Sequence, residues 1–198
     1  MRTRLSRKES QLQTRERLLD AALEVFSRRG YYAASVDEIA AEAGYSKGAV
    51  YSNFSNKEDL FLALIDRRFA KDAEGYPGIA SFMNEGLPFE KFEESFDFRE
   101  QIMKDSTWNI LMVEFFLYAM REGSNRTELA ARYKQLRGLM EENVSALYGR
   151  LGKNPMLPVT ELPWSIFALG MGMMLQFLIE PEGLPKGVYE RALQQLLK

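Results

Sequence analysis

A chain of 198 residues, 46% hydrophobic and 27% charged, has room for one or two cored domains and is too apolar to be disordered. It contains no cysteine and no histidine, which removes disulfides, thiolate nucleophiles, imidazole acid–base catalysis and nearly every zinc or iron site, so neither a metal nor a cofactor is expected. Its net charge of −2 hides an asymmetry: residues 1–57 carry ten basic side chains against seven acidic ones, a local +3 that leaves −5 for the remainder, as suits one end meeting a polyanion and a body that does not.

Along the chain, apolar residues recur at helical spacing almost everywhere, predicting an all-α fold of about nine helices. The first helix is expected from Ser10, with Gln13 three residues on, or from Thr14; Leu19, Ala22, Leu23 and Phe26 form its inner face and Gly30 ends it. Ser35 and Glu38 make a capping box for a short second helix that Gly44 closes. Ser46 caps a third helix only two residues later, and the small Ala40, Ala43 and Gly48 let the two backbones cross closely. Asn56, with Asp59 at the third position, opens a fourth helix carrying Leu60, Leu64 and Phe69.

Breaks are expected at 75–78 and 85–88, followed by a fifth helix with Phe89, Phe92 and Phe96 on one face. A sixth presents Trp108, Leu111, Met112, Phe115 and Ala119 on one face, with Glu114 interrupting an otherwise apolar stretch. Leu129, Tyr133, Leu136, Met140, Val144, Leu147 and Leu151 then mark the seam of one long helix. After a Pro/Gly linker at 152–158, an eighth helix around 164–180 is apolar nearly all round and needs burial on two sides. A ninth, with Val188, Ala192, Leu193 and Leu196, follows the turn at 181–185.

No apolar run is expected to reach the roughly 18 to 20 residues of a membrane span, since Asn109 and Glu114 interrupt the strongest, at 108–120. The basic N-terminus has neither an apolar core nor a cleavage site, so the expected location is cytoplasmic, with no membrane partner.

The string GYYAASVDEIAAEAGYSKGAVYSNFSNK, from Gly30 to Lys57, resembles the DNA-binding signature of the tetracycline-repressor (TetR) family. Ile39, Ala40, Ala43, Gly44, Ser46, Gly48, Tyr51, Phe54 and Lys57 stand at matching spacing, and the first helix extends the likeness over residues 10–65. The resemblance implies a helix-turn-helix three-helix module, here 1–56, followed by a helical ligand-binding and dimerisation body, 57–198. A major groove about 12 Å wide admits one helix while a second braces it from behind. Residues 35–43 would brace and 46–53 would read, with Val50 and Phe54 turned inward.

By resemblance, Tyr51, Lys57 and Ser35 contact phosphates, contacts that position the protein without specifying sequence. Reading falls to Lys47, Ala49, Ser52 and Asn53, because lysine donates to guanine N7 and O6 and the alanine methyl meets a thymine methyl. Gly48 lets the helix start approach the DNA backbone, and Tyr45 and Ser46 at the turn complete the candidate DNA-binding set. Tyr45 and Ala34 depart from the small or hydroxyl residues common in the family.

The body is dense in methionine and aromatic side chains, adaptable walls for an apolar or aromatic effector. The resemblance places the cavity among the fifth to eighth helices, which favours Trp108, Met112, Phe115, Phe116 and Met171. Ala168, Gly170 and Gly172 permit close helix approach on the eighth helix, and the resemblance implies a homodimer through a four-helix bundle of the last two helices, burying Ala168, Gly172, Ala192, Leu193 and Leu196. The function expected is a ligand-responsive transcriptional regulator, a repressor released from a palindromic operator on double-stranded DNA. The alternatives are an all-α dimeric small-molecule-binding protein without operator-specific DNA binding and an enzyme using carboxylates alone, for which no paired acids at suitable spacing stand out.

Overall fold

The computed structural model describes residues 6–75, 96–122 and 126–197. Among the described residues there are nine α-helices and no strand: α1 Arg7–Ala33, α2 Val36–Ala43, α3 Lys47–Tyr51, α4 Lys57–Gly75, α5 Phe98–Lys104, α6 Ser106–Glu122, α7 Arg126–Leu151, α8 Leu162–Ile179 and α9 Val188–Leu196. They fall into two compact units.

The first unit gathers the described residues up to 71 with 110–122 of α6. Its helices begin and end on local signals. Helix α1 starts earlier than Ser10 or Thr14: Ser6 is the N-cap, its hydroxyl accepting the Glu9 N–H at 3.2 Å while Glu9 takes the Ser6 N–H at 2.7 Å. That serine and glutamate pair is as clear a capping box as Ser35 and Glu38, and it outcompetes the weaker Ser10 and Gln13 pair. Gly30 (φ 74°, ψ 166°) breaks the regular helix as expected, and one further turn carries the chain to Ala33. Ser35 caps α2 through the Glu38 box, and Gly44 ends it in the left-handed region at φ 71°. Ser46 caps α3, and the Asp59 N–H donates to the Asn56 side chain at 2.7 Å to start α4.

Apolar faces then meet in one core. Leu18, Ala22, Val25 and Phe26 of α1, Ile39 of α2, Val50, Phe54, and Leu60, Phe61 and Ile65 of α4 are all buried. Leu111, Met112, Phe115 and Ala119 of α6 join them, the face predicted from spacing.

The second unit holds α5, the start of α6, and α7 to α9. The expected fifth helix lies mostly outside the described residues, including Phe89 and Phe92; Phe96 is buried in extended chain just before α5. Helix α5 itself was not anticipated: the Asp97 carboxylate accepts the N–H groups of Arg99 and Glu100. Its core is Phe96, Val144, Leu147, Tyr148, Leu162, Tyr189 and Leu193, so the long seam of α7 buries only its C-terminal half, and Leu151 stays exposed.

Helix α8 corrects the expectation about apolar runs. Its 18 residues carry no charged side chain and are long and apolar enough to cross a membrane, yet only 22% of them are buried in the subunit.

Candidate nucleic-acid interface and effector body

The turn between α2 and α3 is built from the backbone outward. The Tyr45 N–H donates to the Ala40 carbonyl at 2.9 Å and closes α2, and the Ser46 hydroxyl accepts the Ala49 N–H at 3.2 Å to open α3. Val50 and Phe54 anchor α3 from below, both 2% exposed. The opposite side is outward: Ser46, Lys47, Gly48, Tyr51 and Ser52 are exposed, and Ala49 and Asn53 half-buried. A Cβ at Gly48 would meet only the Ser46 hydroxyl, at 3.7 Å, so nothing inside the subunit demands glycine there.

Several outward side chains already have partners. Lys47 Nζ lies 2.9 Å from Asp37 Oδ2, with both groups more than half exposed, a pairing that solvent weakens and that is easily exchanged. Its ammonium is held above the ordinary lysine value by the hydrogen bond to Asp37. Ser52 donates to the Ala49 carbonyl at 2.8 Å, and the Asn53 amide donates to the same carbonyl at 2.8 Å. Tyr45 is half-buried, its hydroxyl held below the ordinary phenol value by hydrogen bonding with Thr14 and then by Arg17. The Ser35 hydroxyl is half-buried in its capping box with Glu38.

Lys57 is the exception among the expected DNA contacts. Its ammonium turns inward and donates to the carbonyls of Tyr31 at 2.9 Å, Tyr32 at 3.3 Å and Ala34 at 3.0 Å. Sequence reasoning also passed over Arg15. Its guanidinium donates to the Asn53 carbonyl at 3.0 Å and stacks 4.3 Å over the Phe54 ring, tying α1 to the chain just after α3. No local spacing marks a contact across 38 residues.

This geometry coincides with a family match. The model for bacterial regulatory proteins of the tetR family matches residues 18–64, which run from α1 through α2 and α3 into α4. That match takes in the helix-turn-helix segment and not the body that follows it. Over 53 residues it is 55% identical to the transcriptional activator FasR of Mycolicibacterium smegmatis, covering 27% of this chain and 24% of FasR. The match therefore spans about a quarter of that curated relative's length. Solved structures extend the likeness of fold to the rest of the chain. A TetR-family member from Streptomyces coelicolor A3 superposes with a TM-score of 0.68 at 20% identity, over 94% of this chain and 99% of its own. FadR of Bacillus subtilis, in complex with stearoyl-CoA, gives 0.65 at 17% identity, over 91% and 94%.

The expected effector residues fall in both units. Phe115 is fully enclosed, stacked on Phe61 with ring centroids 4.5 Å apart and set edge-on to Tyr31 at 5.1 Å. Met112 is buried beside it on α6, and Phe116 is half-buried in the same unit. Trp108 and Met171 are half-buried in the other unit. Glu114 does not stand free: its Oε2 accepts the Tyr31 N–H at 2.6 Å, against the Gly30 kink.

The expected dimer residues divide too. Leu193 is 4% exposed, packed in the subunit's own core with Val144, Leu147 and Tyr148 of α7, Leu162 of α8 and Tyr189 of α9. Ala168 is exposed, whereas Gly172, Ala192 and Leu196 are half-buried. Trp164, Leu175 and Ile179 are exposed along α8, with the Arg137 guanidinium 3.8 Å over the Trp164 ring.

Proposed function

We propose that this chain is a dimeric, ligand-responsive transcriptional regulator that represses by binding a palindromic operator and leaves it when a small apolar or aromatic molecule binds. The observation that carries this reading is α3: a short helix anchored by Val50 and Phe54, whose outer side offers Lys47, Ala49, Tyr51, Ser52 and Asn53 within the stretch that matches the family. Lys47, Ala49, Ser52 and Asn53 read base edges; Tyr51, Ser46 and Ser35 meet phosphates, with Gly48 giving room and Tyr45 setting the turn.

Two copies supply the surface that α8 lacks. An apolar helix with only 22% of its length buried is stable in water when a second copy covers it, and Ala168 and Gly172 allow close approach there. Two-fold symmetry then sets half-sites about 34 to 36 Å apart, or a multiple of that. Support for an apolar effector comes from the half-buried Trp108 and Met171 of one unit, from half-buried Phe116 and buried Met112 of the other, and from the likeness to FadR with its bound stearoyl-CoA.

A mobility-shift titration with the intergenic palindrome nearest the gene tests this. Affinity should fall steeply with salt, because the N-terminal unit displaces phosphate counterions, and scrambled DNA should bind far more weakly. Equal affinity for palindrome and scrambled DNA would refute operator-specific regulation.

A further inference from the structure

A helix ends with carbonyls that have no partner further along the chain, and its C-terminal dipole end attracts a cation. In α1 the kink at Gly30 puts such carbonyls in the elbow that runs from residue 30 to Ser35, where α2 begins. A lysine ammonium has three N–H donors, and those of Lys57 reach three acceptors here, on Tyr31, Tyr32 and Ala34. The ammonium also lies 4.7 Å over the Tyr31 ring, and burial holds it below the ordinary lysine value. Lys57 therefore caps α1 from another helix.

The same elbow is held from its other side. Glu114 of α6 takes the Tyr31 N–H at 2.6 Å, and a Cβ added at Gly30 would fall 2.9 Å from that carboxylate. Glu58, next to Lys57, accepts the Tyr118 hydroxyl of α6. From the elbow the backbone passes directly into the Ser35 cap, α2, and the Ala40 to Tyr45 bond that seats α3. A displaced elbow moves the reading helix.

We infer that Lys57 is a positioning residue for DNA recognition, acting with Glu114 by fixing the α1–α2 elbow rather than by donating to a phosphate. The inference rests on the operator-binding reading above, and it separates from a phosphate contact by salt dependence. Each lost phosphate contact lowers the slope of log affinity against log salt by about 0.9, so two per dimer lower it by about 1.8. A lost brace weakens binding at every salt concentration without changing the slope.

The test measures operator affinity of the full chain from low to high salt for the parent, Lys57→Met, Lys57→Arg and Glu114→Ala, with thermal melting of each. All three variants should bind about tenfold more weakly or worse, on lines parallel to the parent, and melt lower. Arginine keeps the charge but its planar fork does not fit a three-carbonyl cup, so it discriminates even where the methionine variant fails to fold. A flatter line for Lys57→Met, or parental affinity for Lys57→Arg, overturns the inference and leaves the regulatory reading standing. A parent without operator preference overturns both.

Discussion

At Lys47 the free protein holds the base-reading candidate in an ion pair with Asp37, 2.9 Å long and largely in water. Engaging a guanine requires breaking that pair, which costs little because solvent and salt already weaken it. Lys47→Ala should therefore relax preference at one base pair of each half-site by about 1–3 kcal/mol, as read by selection from randomised operators. Asp37→Asn should raise affinity slightly without changing the preferred sequence. An unchanged preference after Lys47→Ala would remove the reading role. Glu190 poses a different problem at the same scale. It is 2% exposed, and its Oε1 accepts the Phe98 N–H at 2.8 Å, so it completes the N-terminus of α5 that Asp97 begins. Glu190→Ala leaves the half-buried Phe98 N–H without its acceptor and should lower stability by about 1–3 kcal/mol in urea denaturation.

Individual helices owe their ends to pairs three residues apart. Ser35→Ala removes the hydroxyl that accepts the Glu38 N–H and should cost about 0.5–2 kcal/mol by thermal or urea unfolding. Glu38 is held below the ordinary carboxylate value by Arg29 first and then by the Ser35 hydroxyl and amide. A carboxylate lowered in the folded state stabilises above its unfolded value and loses that contribution as pH falls through its folded value. Glu38→Gln should therefore be less stable than the parent at pH 7, with the gap in urea midpoints closing below about pH 4. A gap that persists at low pH would show that the glutamate acts by shape and not by charge. Gly30 belongs to this scale as well: at φ 74°, with the Glu114 carboxylate where a side chain would begin, only glycine lets α1 turn.

Across the whole molecule, the apolar length of α8 and its low burial call for a partner. A Cβ at Gly172 meets nothing within 4 Å inside the subunit, so Gly172→Leu should leave subunit folding intact while weakening the dimer by about 1–3 kcal/mol, measured by sedimentation. A variant that dimerises like the parent would place Gly172 away from the interface. Effector and operator are linked in the same way: if an apolar molecule weakens operator binding, operator must weaken its binding by the same factor. Calorimetry with and without operator measures that one coupling from both sides.

The sequence by itself determined the helical class, the caps at Ser35, Ser46 and Asn56, the stop at Gly44, and the inward face of α3. These are written in neighbours three or four residues apart, where backbone geometry leaves few alternatives. Even the Ser6 cap, missed in favour of Ser10, was legible as a serine followed by a glutamate at the third position. The tertiary structure decided everything that depends on which distant atom a side chain meets. Lys57 reaches carbonyls 23 to 26 residues back, Glu114 an amide 83 residues away, and Glu190 one 92 residues away. Phe115, expected in a ligand cavity, and Leu193, expected at a dimer face, are each enclosed by their own chain. Helical periodicity says that a side chain lies on the apolar face, but the surface that face meets is fixed only when the helices come together.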